Sequence, residues 1–166
     1  MKIAIIGAGL AGLTLAHRLA QHHDATVFEK ARGPGGRMST RRADPYAFDH
    51  GAQYFTAESD RFRAFLGDLE AKGLVTRWPE EITLHAEARV SDKSKYVAQP
   101  GMNTICKTLA AAVDVRTQIH ATGFARGSDG WWIETRTDDR LGPFDWIVSI
   151  APAEQTAALM PADFSG

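Results

Sequence analysis

A short apolar run followed without a linker by a glycine turn constrains this chain more than any other stretch: Ile3-Ala4-Ile5-Ile6 leads straight into Gly7-Ala8-Gly9-Leu10-Ala11-Gly12. A continuous apolar run of that length fits a strand buried on both faces of a parallel sheet. In the turn, Gly7 permits a tight bend from strand into helix. Gly9 carries no side chain where a pyrophosphate would approach the backbone, and Gly12 lets helix and strand pack closely. A phosphate there rests on a helix N-terminus, where free N–H groups and the positive end of the helix dipole stabilise it, so Leu10 and Ala11 would act through their backbones. Glycine-rich turns also arise by chance. The weight of this one comes from its place between a buried strand and an amphipathic helix.

That helix is expected over Leu10 to Gln21, with Leu13, Ala16 and Ala20 on one face and Leu15 and Leu19 on another. Ala25-Thr26-Val27-Phe28-Glu29 then reads as a second strand ending in an acid. Glu29 stands roughly 20 residues beyond the turn, where a carboxylate can accept hydrogen bonds from both hydroxyls of an adenosine ribose. A 2′-phosphate would be repelled there. The acid therefore argues against NADP and leaves NAD and FAD open.

A second glycine-rich segment follows at once, Lys30-Ala31-Arg32-Gly33-Pro34-Gly35-Gly36-Arg37. Its glycines and proline describe a tight loop, while Arg32 and Arg37 offer planar, permanently charged donors suited to phosphate or ribose oxygens. Glu29, five residues and then Gly35-Gly36-Arg37 resembles the FAD-binding signature of the flavin amine oxidase superfamily, which includes monoamine oxidases, protoporphyrinogen oxidases, phytoene desaturases and renalases. Lys30 and Arg32 fall inside that signature. Arg37-Met38-Ser39-Thr40, Phe48-Asp49-His50-Gly51-Ala52-Gln53-Tyr54-Phe55-Thr56 and Tyr96-Val97-Ala98-Gln99-Pro100-Gly101-Met102-Asn103 resemble the renalase branch in particular.

The resemblance implies an α/β, Rossmann-like FAD-binding fold with a parallel sheet, a β-meander crossover and part of a substrate domain. It implies FAD as cofactor, with Gly7, Gly9, Leu10, Ala11, Gly12, Glu29, Lys30, Arg32, Gly36 and Arg37 at its adenosine and pyrophosphate end. Gln53 and Tyr54 would run along the flavin, and the backbone of Val115 would meet the adenine edge. On the residues alone, Tyr54 and Phe55 could equally be core aromatics, and Val115 an ordinary core valine. The activity implied is that of an oxidase: hydride passes from a dihydronicotinamide isomer, or an amine-like substrate, to flavin and then to oxygen as hydrogen peroxide. Members of the family are about twice as long. Their C-terminal half supplies most of the substrate domain, a last sheet strand and a Gly-Asp segment, none of which is legible in this sequence. A FAD-binding module without turnover of its own and an NAD-binding Rossmann enzyme are the alternatives.

The rest of the chain divides accordingly. Residues 1–55 and 101–166 are expected to form the dinucleotide-binding domain, and 56–100 an insertion belonging to the substrate domain. The insertion should open with a helix from Ser59 to Ala71, with Phe62, Phe65, Leu66 and Leu69 on one face and a stop near Gly73. Strands are expected at Ile82 to Leu84, Ala88 to Val90 and Tyr96 to Ala98, with Ser91-Asp92-Lys93-Ser94 as a turn. Pro100-Gly101 should open a further helix through Met102, Ile105 and Leu109, followed by a strand from Val113 to Arg116. Ile119 to Ala125 and Trp131 to Arg136 flank Gly127-Ser128-Asp129-Gly130, a hairpin signal. Trp146 to Ile150 reads as a fourth buried strand of the main sheet, and as its open edge if the family order holds.

Composition removes other readings. The chain has 166 residues, 44% of them hydrophobic, enough for one core, and its net charge of -1 with interspersed signs gives no nucleic-acid or membrane face. Cys106 is the single cysteine. It excludes an internal disulfide and a multi-cysteine metal site, and fits a reducing cytoplasm. No apolar run reaches the roughly 18 residues of a membrane helix. His22, His23, His85 and His120 have no ligand spacing, and Ser39, Ser59 and Ser149 lack a nucleophile context. No metal is expected, and no side chain is assigned a catalytic role. Among the histidines, only His50 lies beside a candidate cofactor stretch.

Overall fold

A computed structural model describes residues 1–78 and 94–164. In chain order the elements are β1 (Lys2–Ile6), α1 (Leu10–Leu19), β2 (Asp24–Glu29), a 3-10 turn (Gly36–Met38), β3 (Thr40–Ala43), β4 (Tyr46–Asp49), β5 (Phe55–Thr56) and α2 (Asp60–Ala71). They continue with β6 (Val75–Arg77), β7 (Lys95–Ala98), α3 (Thr104–Ala110), β8 (Asp114–Thr117), β9 (Ala121–Gly127), β10 (Gly130–Thr135), β11 (Arg140–Phe144), β12 (Trp146–Ser149) and α4 (Ala153–Ala157). Two compact units result: Met1–Gly36 with Cys106–Gly166, and Arg37–Ile105.

The first unit is built on a four-stranded parallel sheet in the order β12-β1-β2-β8, with Ile5 opposite both Val27 and Val148, and Val27 opposite Val115. Alternation along the strands sends Ala4, Ile6 and Phe28 to one face, where Phe124 and Ile133 of the antiparallel β9-β10-β11 meander join them in a buried cluster. Phe28 meets Phe144 of β11 edge to face at 5.7 Å between ring centres. The other face of the sheet receives α1, whose Leu13 and Ala16 are fully buried. Leu15 and Leu19 are half-buried, so the second face of the helix is partly covered as its periodicity suggested, while Ala20 lies beyond the helix and exposed.

The second unit carries the β3-β4 hairpin, the sheet β5-β7-β6 and α2. Ser59 caps α2, its Oγ accepting from the Phe62 N–H at 3.2 Å. Leu66 and Leu69 are buried on one face beside half-buried Phe62 and Phe65, and the helix gives out before Gly73, whose φ of +68° stops it.

Several elements differ from expectation for physical reasons. The helix expected at Pro100-Gly101 begins instead at Thr104, after a turn in which the N–H groups of Met102 and Asn103 donate to Asp49 Oδ1 (3.0 Å) and Thr40 Oγ1 (3.3 Å). β12 is not buried throughout: among the described residues it pairs with β1 alone, and Trp146 stays 61% exposed. β11 forms across Gly142-Pro143 and makes the hairpin a three-stranded meander. The β3-β4 hairpin adds an antiparallel pair beyond the expected elements. The strands expected at 82–84 and 88–90, residues 91–93 of the turn, and His85 lie outside the described residues.

Candidate functional site

The turn between β1 and α1 is shaped by two glycines, one required by its backbone conformation and the other by lack of space. Gly7 has φ +110°, a region that disfavours side chains, and its N–H donates to Phe28 O at 2.9 Å, stitching β1 to β2 just where the chain bends. At Gly12, a Cβ would run into the carbonyl oxygen of Gly7. Gly9 is the N-cap of α1 and supplies no side-chain acceptor, and the first helical turn contains no acid. The N-terminal N–H groups of α1, including those of Leu10 and Ala11, are therefore left without a side-chain cap.

The second glycine segment closes onto the first. Gly35 N–H donates to Ala8 O at 2.9 Å, and Gly9 and Gly35 form an isolated parallel bridge. Gly36, at φ +53°, comes so near that an added Cβ would stand 3.2 Å from Gly9 Cα. The buried Cys106 thiol points to Gly35 O at 3.8 Å, and burial pushes its pKa up to about 11.

Glu29 is 8% exposed and ties both loops to the end of β2. Its Oε2 accepts from Ala8 N–H and its Oε1 from Ala31 N–H, each at 2.8 Å. Each oxygen keeps a lone-pair site for another donor. A carboxylate held this way is already oriented, and each charge-assisted bond contributes about 1.5–3 kcal/mol. Ala8 is therefore a structural member of the cradle that the glycine pattern alone does not single out, whereas Cys106 has no sequence signal beyond its apolar surroundings.

The structure thus brings Gly7, Gly9, Leu10, Ala11, Gly12, Glu29 and Gly36 together at one end of the parallel sheet. Lys30 is exposed and donates to Gln155 Oε1 at 3.2 Å. Arg32 and Arg37 are exposed, and neither guanidinium has a hydrogen bond or ion pair among the described residues. Val115 is half-buried on the edge strand β8.

Gln53 and Tyr54 belong to the second unit, as does Arg37, and both are exposed. Their segment is pinned by Ala52 N–H donating to Arg37 O at 2.7 Å; Gly51 makes room for it, since a Cβ there would collide with the same carbonyl. Just upstream, Asp49 Oδ1 accepts from the Thr40 hydroxyl at 2.5 Å as well as from Met102 N–H. These bonds interlock the Phe48 to Thr56 and Tyr96 to Asn103 stretches. His50 is exposed, with Nε2 3.4 Å from Ser39 Oγ. Among the described residues, no group of His, Cys, Asp and Glu could hold a metal ion, and no helix is long and apolar enough to cross a membrane.

Residues 5–69 match the family model of the NAD(P)-binding Rossmann-like domain. A stretch of 52 residues, 31% of this chain, is 52% identical to the 4,4'-diapophytoene desaturase (4,4'-diaponeurosporene-forming) of Staphylococcus aureus strain Newman and covers 10% of it. Among solved structures, the chain resembles a protein assigned as a protoporphyrinogen oxidase from Exiguobacterium sp. 255-15, with TM-score 0.67, 12% identity and coverage of 95% of this chain and 61% of that one. It also resembles a CLA-producing fatty acid isomerase from P. acnes, with TM-score 0.68, 15% identity and coverage of 98% and 61%. The chain therefore spans about three fifths of each of these solved structures and about a tenth of the desaturase. Fold and comparison define the class: an α/β protein with a parallel sheet, whose residues 5–69 match an NAD(P)-binding Rossmann-like domain.

Proposed function

We propose that this chain is the FAD-binding part of an FAD-dependent oxidoreductase with renalase-like oxidase activity. The observation that carries this reading is the closure of the second glycine loop on the first, through Gly35 N–H and Ala8 O, beside an uncapped helix start and a buried, pre-oriented Glu29. An extended dinucleotide fits such a cradle: glycine backbones admit its pyrophosphate to the N–H groups of Leu10 and Ala11, and Glu29 retains acceptor capacity for ribose hydroxyls. Arg32 and Arg37, unpaired among the described residues, supply the charge that balances the phosphates. Lys30 adds to that charge, the Val115 backbone borders the adenine, and Gln53 and Tyr54 border the flavin.

FAD, when bound, supplies the acceptor for a substrate hydride and the route by which oxygen becomes hydrogen peroxide. The substrate in this reading is a dihydronicotinamide isomer or an amine-like molecule, docked against the insertion at 56–100. Loss of hydride from a dihydropyridine is driven by aromatisation to a pyridinium. The chain's own task is then to orient the substrate and exclude water, with no acid or base required of a side chain. The single buried cysteine suits a cytoplasmic setting.

A second reading is a FAD-binding module without turnover of its own, since the bonds that shape the cradle all lie at the adenosine and pyrophosphate end of the proposed site. One preparation tests both. Purified chain incubated with FAD should show flavin bands after desalting; a colourless chain that takes up NAD instead would overturn both readings. Oxygen uptake with dihydronicotinamide isomers then separates oxidase from module.

A further inference from the structure

The first unit holds a polar cleft that the cofactor reading does not use. It has a volume of about 310 Å³ and lies between the parallel sheet, which contributes Lys2, Asp24, Thr26, Asp114 and Arg116, and the strand β11. Lys2, Asp24 and Asp114 are the first residues of β1, β2 and β8, whereas Glu29 is the last residue of β2 and the glycine turn follows β1. Cleft and nucleotide cradle therefore sit at opposite ends of the same sheet. Strand alternation puts these side chains on one face: Lys2 is two residues before Ala4 and Thr26 two before Phe28, both in the cluster under the meander. Asp114 and Arg116 lie opposite Thr26 and Phe28 in the β2-β8 ladder.

Part of the cleft is already organised. Thr26, 7% exposed, donates through Oγ1 to Asp114 Oδ2 at 3.0 Å, and the same oxygen is 3.3 Å from Arg116 Nη2. The Arg116 guanidinium also stands over the Phe28 ring, 5.8 Å from its centre. Asp114 is thus engaged within the cleft and orients Arg116, which keeps further N–H donors for a ligand. The side chains of Lys2 and Asp24, in contrast, make no hydrogen bond or ion pair among the described residues. Arg140 of β11 also lines the cleft, with its guanidinium 5.5 Å from the Trp132 ring centre.

This mixture of charges discriminates. A small dianion would meet the carboxylate of Asp24, and a simple amine would meet Lys2, Arg116 and Arg140. A molecule carrying one carboxylate and one ammonium satisfies both signs. The volume, at the small end of the range for small-molecule sites, suits a ligand of that size.

We infer that this cleft binds a free α-amino acid as its zwitterion, with Arg116 taking the carboxylate, Arg140 adding to the cationic side and Asp24 taking the ammonium. The inference stands apart from the oxidoreductase reading.

The test is titration of the full chain at neutral pH, read from backbone amide chemical shifts. The probes are L-alanine, L-alaninamide, which lacks the carboxylate, N-acetyl-L-alanine, which lacks the ammonium, and inorganic phosphate. L-alanine should shift the amides of Asp24, Thr26 and Arg116 saturably and bind roughly fivefold more tightly than either analogue, the scale of one exposed charge pair. Asp24→Asn should remove the advantage over N-acetyl-L-alanine alone, and Arg116→Gln the advantage over L-alaninamide alone. Amides outside the cleft report whether each variant is folded; should Arg116→Gln lose the fold, Arg140→Gln reads the cationic side instead. Equal affinity for L-alanine and both analogues, tighter binding of phosphate than of L-alanine, or no saturable shift at the cleft would overturn the inference.

Discussion

The backbone N–H of Ala52 donates to the carbonyl oxygen of Arg37 at 2.7 Å, so the residue that ends the second glycine segment is bonded to the stretch leading into Gln53 and Tyr54. The bond needs Gly51 beside it, because any side chain at that position would occupy the space of the same carbonyl.

Gly51→Ala should therefore force the two strands of chain apart. We expect a loss of about 1–3 kcal/mol, the usual cost of inserting a methyl group into occupied space, measured as a lowered urea midpoint. Gly67→Ala is the control, since its added Cβ meets nothing within 4 Å and it lies inside α2. A Gly51→Ala protein as stable as the parent would show that the Arg37 carbonyl is free to move.

Replacing Glu29 with glutamine keeps the shape and loses an acceptor. The amide oxygen can serve one of Ala8 N–H and Ala31 N–H, while the NH2 group confronts the other. A buried donor left unpaired costs about 1–3 kcal/mol, so Glu29→Gln should lower stability before any ligand is added. FAD retention should fall further than stability alone explains. If only retention changed, the carboxylate would be a ligand group without a role in holding the loops.

Arg37→Ala should weaken FAD retention more than Arg41→Ala or Arg42→Ala, although all three arginines are exposed. Retention on a desalting column across a salt series reads this directly, since a phosphate contact weakens as ionic strength rises. Equal effects at the three positions would remove Arg37 from the phosphate site.

Cys106 gives a pH prediction with a definite sign. Burial raises its thiol from an ordinary 9.0 to about 11, so the unfolded chain ionises first as pH rises. The stability linked to this group is fully present below pH 9 and is lost as pH climbs through 11. Urea midpoints of the parent should drop across that window more steeply than those of Cys106→Ala. The same burial should keep the thiol nearly unreactive to iodoacetamide at pH 8 until urea unfolds the chain.

Hard sterics made the cradle legible in the residues. Gly7, Gly12, Gly35 and Gly36 occupy positions where positive φ or a neighbouring backbone excludes a side chain, and such constraints leave a fixed pattern. Glu29 was placed by its spacing, but its bonds to Ala8 and Ala31 were invisible because backbone partners carry no sequence signal. The β3-β4 hairpin escaped notice for a different reason. Thr40-Arg41-Arg42-Ala43 has no apolar alternation, and Tyr46 and Phe48, which look like core residues, are 67% and 56% exposed. β11 was hidden by Gly142-Pro143, a pair that ordinarily marks a break. Lys2, Asp24 and Arg116 meet only through the pairing of β1, β2 and β8, a non-local fact that periodicity cannot contain.

The sheet order β12-β1-β2-β8 sets a timetable as well as a shape. β1, α1 and β2 are contiguous, so the glycine turn and its helix can assemble as soon as residues 2–29 are available. One flank of β1 has no neighbour until Trp146–Ser149 has been made, and that closure spans almost the whole chain. During synthesis at about 5–20 residues per second, Ile3, Ile5 and Ile6 must wait many seconds beside an empty edge. The glycine turn can thus form early on a strand whose second flank is filled late.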